Sequence, residues 1–145
     1  MPIGDPHGAK DFEYTTEGLP ESLFMAAVPV RDPLKAVVFY RDVLHMPPLY
    51  AGPEEAVVRR GSATLRLYRS DKVGINTGIY LGVYDPYTFH RRLIDEGVQF
   101  LMDPKKTPMG VVTSFFDGDR NILYVIERGA VPCKEVKEKT GDGSA

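Results

Sequence analysis

The sequence predicts an α+β fold made of two βαβββ modules. Three observations predict it. The phrase Met25-Ala-Ala-Val-Pro-Val-Arg-Asp32-Pro33 returns as Gly78-Ile-Tyr-Leu-Gly-Val-Tyr-Asp85-Pro86. Each copy runs into an apolar stretch with helical spacing. Each of those stretches is followed by three short strand-like runs separated by turn residues. A strand–cap–helix unit that occurs twice reads as one module used twice. Two similar modules packed together form a cleft, which is where a site is expected.

The elements follow in order. Residues 1–20 are rich in Gly, Pro and charge and read as a flexible arm. Residues 22–30 are apolar enough for a strand inside a sheet. Asp32 is a favoured N-cap, because its carboxylate accepts from orphan N–H groups of the first turn. Pro33 has the right φ for the first helical residue and gives up an N–H that has no helical partner. The helix is expected over 33–45, with Ala36, Val37, Tyr40, Val43 and Leu44 on one stripe, Phe39 broadening it and Met46-Pro47-Pro48 ending it. Strands are expected around 49–51, 56–60 and 63–68, with turns at Gly52-Pro53 and Gly61-Ser62.

The second module starts near Asn76. Its strand is expected over 78–84 and its helix over 86–96, with Phe89 and Leu93 as an i,i+4 pair and Gly97 as the C′ residue. Strands at 100–102, 111–116 and 122–127 complete it, broken at Gly110 and at Asp117–Asn121. The globular part therefore spans 21–128, as modules 21–70 and 76–128. Residues 129–145 read as a flexible tail, polar from Cys133 onward.

Composition narrows the function classes. The 145 residues are 43% hydrophobic and 26% charged, with a net charge of −2, ordinary values for a soluble globular chain. There is no basic field of the kind that nucleic acid requires. No stretch approaches the ~20 apolar residues that cross a bilayer, and residues 1–10 lack the apolar core of a signal peptide. The single cysteine, Cys133, allows no intrachain disulfide and fits a reducing cytoplasm. It sits in a polar tail away from any base and reads as inert.

Three phrases then carry a resemblance: Val30-Arg-Asp32, the helical Ala36-Val-Val-Phe39-Tyr40-Arg-Asp42-Val-Leu44, and Phe116-Asp117-Gly-Asp119-Arg-Asn121-Ile-Leu123-Tyr-Val-Ile-Glu127. In this order they resemble the vicinal oxygen chelate superfamily, which includes glyoxalase I, extradiol dioxygenases, fosfomycin-resistance enzymes and bleomycin-resistance proteins. Gly118 and Arg120 stand where that group usually has Pro and Gly. The resemblance implies that the strands curl into a cup-shaped mixed sheet and that subunits pair as homodimers, a second copy covering open sheet edges.

The resemblance also implies where chemistry would sit. Members that are active hold a divalent metal with His, Glu or Gln at four strand positions, and those positions fall here on Met25, Arg66, Gly78 and Tyr124. Glycine offers no donor, arginine is a permanent cation, a thioether prefers Cu(I), and one phenol cannot hold the ion alone. His7 lies in the arm, His45 at a helix end and His90 on a helix. Glu54, Glu55, Asp71, Asp103, Asp117 and Asp119 read as turn or strand-end residues. No metal and no other cofactor is expected.

What remains is a lined cup. Residues two apart on a strand share a face, so Thr64, Arg66 and Tyr68 face one way, as do Gly78, Tyr80 and Gly82, and Ile122, Tyr124 and Ile126. The candidate ligand-binding residues are Met25, Arg66, Tyr68, Gly78, Tyr80 and Tyr124. An apolar, aromatic wall with one cation suits a planar or amphipathic organic molecule, with Arg66 available to a carboxylate or phosphate. Gly78 leaves room for a ring to approach the backbone. Structural readings stand beside these. Met25 also suits core filling, Tyr124 could be buried with its hydroxyl on backbone, and Arg66 could serve a loop carboxylate. His90 reads as a surface residue, and Arg59-Arg60 and Lys105-Lys106 as solvated pairs on turns.

Three functions are compatible with this pattern. The first, and the one favoured, is a metal-independent protein that binds a small organic molecule. The second is an enzyme of the same superfamily, of lyase, isomerase or dioxygenase type; it is disfavoured, because no group suited to proton transfer near pH 7 lies on the inferred wall. The third is a structural dimer whose cup is closed by its own side chains.

Overall fold

The computed structural model describes residues 18–129. The expected arm before residue 18, the tail after 129, His7 and Cys133 lie outside the described residues. Module 1 contains β1 (Ala26–Val30), α1 (Pro33–Asp42), β2 (Pro48–Ala51), β3 (Glu55–Arg60) and β4 (Ala63–Arg69). Module 2 contains β5 (Asn76–Val83), α2 (Pro86–Asp95), β6 (Phe100–Thr107), β7 (Gly110–Phe116) and β8 (Ile122–Glu127). Each forms a four-stranded mixed sheet, in the orders β1-β4-β3-β2 and β5-β8-β7-β6. The first strand of each module pairs in parallel with the last, and the remaining pairs are antiparallel.

The repeat in the sequence is a repeat in space. Asp32 Oδ1 accepts from Leu34 N at 3.1 Å, and Asp85 Oδ1 accepts from Tyr87 N at 3.0 Å, each with proline at the first helical position. Asp85 also accepts from Thr88 Oγ1 at 2.8 Å, and that bond leads the causes that hold its carboxyl below the usual carboxylate range. Ala27 lies opposite Arg66 and Tyr80 opposite Tyr124, so the two modules share one register.

One continuous core joins the modules. Val28, Val30, Ala36, Val37, Leu65 and Leu67 of module 1 belong to the same buried cluster as Phe115, Leu123 and Val125 of module 2. Alternation explains it: on β4 and β8 these residues alternate with half-buried Thr64, Arg66, Tyr68, Ile122, Tyr124 and Ile126. The inner side of module 2 is aromatic, with Phe89 at 5.4 Å from Phe115 and 6.0 Å from Phe100 between ring centroids.

A polar hub ties the modules together at the β7–β8 turn. Asn121, fully buried, accepts at Oδ1 from Gly74 N (2.9 Å) and Ile75 N (3.0 Å) and donates from Nδ2 to Pro29 O (2.8 Å) and Asp117 Oδ2 (3.1 Å). Asp117 accepts also from Asp119 N, Asn121 N and, at 2.7 Å, Tyr40 Oη. Its charge is thus held by four donors rather than by a cation. Arg31 N donates to Asp119 Oδ1 at 3.2 Å across the same junction, while partial burial raises the Asp119 carboxyl.

Several boundaries differ from the sequence-based expectation. The first strand begins at Ala26, not at 22, and Leu23 and Phe24 before it are exposed. Strand β6 runs on to Thr107, so Asp103 and the Lys105–Lys106 pair lie on a strand rather than in turns. Pro104 concealed this: proline is tolerated on an edge strand, and the β6 register slips on either side of Met102. Arg59 and Arg60 likewise end β3. His90 is half-buried, its ring centroid 4.4 Å from that of Phe100 and Nε2 3.6 Å from Asp103 Oδ1.

Helix α1 ends at Asp42, three residues short of the expected His45. Met46 N reaches back to Tyr40 O at 2.8 Å, and His45 takes the left-handed conformation, φ 58°, that such a cap demands. A non-glycine residue there costs roughly 1 kcal/mol. His45→Gly is therefore expected to stabilise the protein by about 0.5–1 kcal/mol, read as a higher urea midpoint at unchanged slope. An unchanged or lowered midpoint would show that the side chain contributes more than the strain it imposes.

Candidate functional site

The six candidate residues fall into two sets, one on the outer face of each sheet. On the first sheet, Arg66 Nε donates to Glu55 Oε1 at 2.6 Å, and the guanidinium lies 5.4 Å from the Tyr68 ring centroid. Both partners of that pair are about two-fifths exposed, so water screens it and its contribution to stability is small. Met25 is exposed and stands immediately before β1.

On the second sheet, Tyr80 and Tyr124 stack with ring centroids 4.6 Å apart and planes 15° off parallel. Tyr80 is half exposed. Tyr124 Oη donates to Asn76 Oδ1 at 3.0 Å, so its hydroxyl is satisfied by a side chain rather than by backbone. Gly78 has φ +69° and sits where the β5–β8 register breaks between Asn76 and Tyr80. A Cβ there would meet nothing within 4 Å, so the backbone angle, not crowding, calls for glycine. The space beside it is open.

Two neighbours of these residues carry polar chemistry that the sequence reading did not assign to the site. Glu55 is one. It was legible: the Gly61-Ser62 turn sets Arg60 opposite Ala63, which places Glu55 opposite Tyr68 and on the face of Arg66. Ser114 is the other. It pairs with Tyr124 in register, and its Oγ is buried with no hydrogen-bond partner among the described residues. No local signal marks such a hydroxyl, because its burial depends on the packing of β6 and β8 around β7.

A cleft lies elsewhere, on the helix-bearing side between the modules. Its volume is about 860 Å³, and it is bounded by the end of α1, the β3–β4 turn, the end of β5 and one face of α2. None of the six candidate residues lines it.

A model of the Glyoxalase/Bleomycin resistance protein/Dioxygenase superfamily matches residues 22–125. The chain belongs to that superfamily. TnmS3, an antibiotic binding protein from Streptomyces sp. CB03234, is 26% identical at a TM-score of 0.64, covering 75% of this chain and 98% of that one. The bleomycin-binding protein from Streptomyces verticillus, solved with copper(II)-bleomycin, is 20% identical at a TM-score of 0.63 over 75% and 98%. Lactoylglutathione lyase from Agrobacterium tumefaciens is 20% identical at 0.60 over 76% and 96%. The last two likenesses speak for fold alone. No curated protein matches the sequence.

The superfamily resemblance brings a divalent metal into question, and the residues here do not fit one. At the four positions implied for ligands, Arg66 is already ion-paired with Glu55, Tyr124 is hydrogen-bonded to Asn76, Gly78 has no donor, and Met25 offers a thioether. A fixed guanidinium would repel a cation placed beside it. Among the described residues no cluster of three or more His, Cys, Asp or Glu is arranged to hold an ion. Among the same residues no helix is long and apolar enough to cross a membrane.

Proposed function

We propose that this superfamily member is a metal-independent small-molecule-binding protein that holds an aromatic or amphipathic organic ligand against the outer faces of its sheets. The observation that carries the proposal is the Tyr80–Tyr124 stack, a half-exposed aromatic platform beside the open backbone at Gly78. A planar ligand extends such a stack at little entropic cost, since each ring is already oriented. Arg66 and Tyr68 on the other sheet suit the polar end of an amphipathic ligand. TnmS3, which binds an antibiotic, is the neighbour that supports a binding role by analogy. A single cysteine, giving no intrachain disulfide, fits a cytoplasmic location for this role.

A homodimer belongs to the same proposal. The outer faces carry exposed Met25, Tyr50, Tyr80 and Leu101, and β1, β2, β5 and β6 are sheet edges. A second copy would cover these groups and enclose the ligand.

The chain has eight tyrosines and no tryptophan, so its fluorescence is tyrosine fluorescence, to which the platform supplies two of the eight rings. Titrating EDTA-treated protein with a panel of planar aromatic compounds should give saturable quenching for at least one. Tyr124→Ala should weaken that compound about ten-fold, equivalent to ~1.4 kcal/mol of lost stacking. Light scattering on the same sample should return a dimer mass. Binding that appears only after a divalent metal is added, or that is unchanged in Tyr124→Ala, would refute the proposal.

A further inference from the structure

The cleft between the modules has a character of its own. Its floor is apolar, with partly exposed Leu44 from module 1 and Leu81, Val83 and Phe89 from module 2. Its rim is cationic: Arg60 at the end of β3, Arg92 on α2 and Arg128 just after β8 line it from three separate elements. All three arginines are exposed, and among the described residues none is ion-paired. Arg92 Nη2 lies 3.1 Å from His45 Nε2, a contact that brings no carboxylate to the guanidinium. The Arg128 guanidinium lies 5.7 Å from the Tyr84 ring centroid. The one carboxylate in the cleft, Asp85, is engaged by the first turn of α2 and by Thr88.

Three guanidiniums and one committed carboxylate leave a net positive rim on a chain whose overall charge is −2. Cations that line one cleft without counter-ions attract an anion to it. The cleft is half open to solvent; its volume of about 860 Å³ falls in the range of small-molecule sites, and an apolar floor with a few polar groups at one end is the usual form of such a site. The shape and charge together define the occupant.

We infer that this cleft is a second binding site, for an amphipathic organic monoanion whose apolar body lies on Leu44, Leu81, Val83 and Phe89 and whose carboxylate binds at the rim that Arg60, Arg92 and Arg128 supply. It goes beyond the platform proposed above: the two sites share no residue and lie on opposite sides of the second sheet. Bidentate guanidinium–carboxylate bonds supply the selectivity for an acid over its neutral counterpart.

Decanoate is the probe. Its flexible aliphatic chain has no ring to extend a tyrosine stack. Calorimetric titration of the full chain should show one saturable site per chain, weakened as salt rises. The double variant Arg60→Gln, Arg92→Gln should weaken binding at least about ten-fold, and 1-decanol should bind at least about ten-fold more weakly than decanoate. Tyr124→Ala should leave the decanoate affinity unchanged, which separates this site from the tyrosine platform. Both arginines are exposed, so the double variant tests binding without removing core packing. No saturable binding up to about 1 mM, equal binding by the double variant or by decanol, or a loss that follows Tyr124→Ala would each overturn the inference.

Discussion

Replacing Asn121 with alanine is expected to cost about 3–4 kcal/mol of stability, from four side-chain hydrogen bonds of roughly 1 kcal/mol each at a fully buried site. The side chain is fully buried and bonded at both ends. Its oxygen satisfies Gly74 N and Ile75 N in the segment between the modules, and its nitrogen satisfies Pro29 O on β1. Alanine would leave those groups, and one lone pair of Asp117, without their partner. The bonds join residues of both modules, so the loss should appear in one cooperative transition rather than as local fraying. Urea unfolding measures it. A cost below about 1 kcal/mol would mean that the junction relaxes freely and that the hub is not what holds the modules in register.

Tyr40→Phe is expected to cost about 2 kcal/mol at neutral pH, the range for a buried hydrogen bond to a charged acceptor. Tyr40 is almost wholly buried, and its hydroxyl donates to Asp117 Oδ2 at 2.7 Å. Burial first, and then the Asp117 charge, push the phenol well above its ordinary value near 10. The folded chain therefore keeps this proton at a pH where the unfolded chain releases it. Stability from Tyr40 is fully present below pH 10 and falls as pH rises above it, by at most ~1.4 kcal/mol per unit. The phenylalanine variant lacks that proton, so its deficit should be largest at pH 7–9 and shrink toward pH 11. Urea midpoints for both proteins across that range decide the matter. A deficit that stays constant or grows with pH contradicts the assignment of the proton to this buried pair.

The hub also explains a phrase that carried the family resemblance. Asp117-Gly-Asp-Arg-Asn121 is a turn whose first and last residues are buried, and Arg120 within it has φ +69°. That is the position at which glycine is usual in the superfamily, and here the side chain is retained by Gln99 Oε1 at 2.6 Å and by the Phe116 ring, 4.5 Å from the guanidinium. The motif was visible in sequence as a break between strands. Its role in joining modules was not, because Pro29, Tyr40 and Gly74 are far from it along the chain.

Local chemistry by itself determined the module plan. Both Asp-Pro caps, the starts of the helices that follow them and the last strand, Ile122–Glu127, stand where spacing and capping put them. Hydrogen-bonding and steric preferences of neighbouring residues suffice for that. Even the Arg66–Glu55 pair was within reach, through the register that the β3–β4 turn imposes. What tertiary structure alone decided was the assembly of those pieces: the single core shared by both sheets, the tyrosine stack, the polar hub and the arginine-rimmed cleft. Each arises where residues distant in sequence meet, and the free energy that selects such meetings comes from burying apolar surface and satisfying buried polar groups across the whole molecule. No window of neighbouring residues contains that sum.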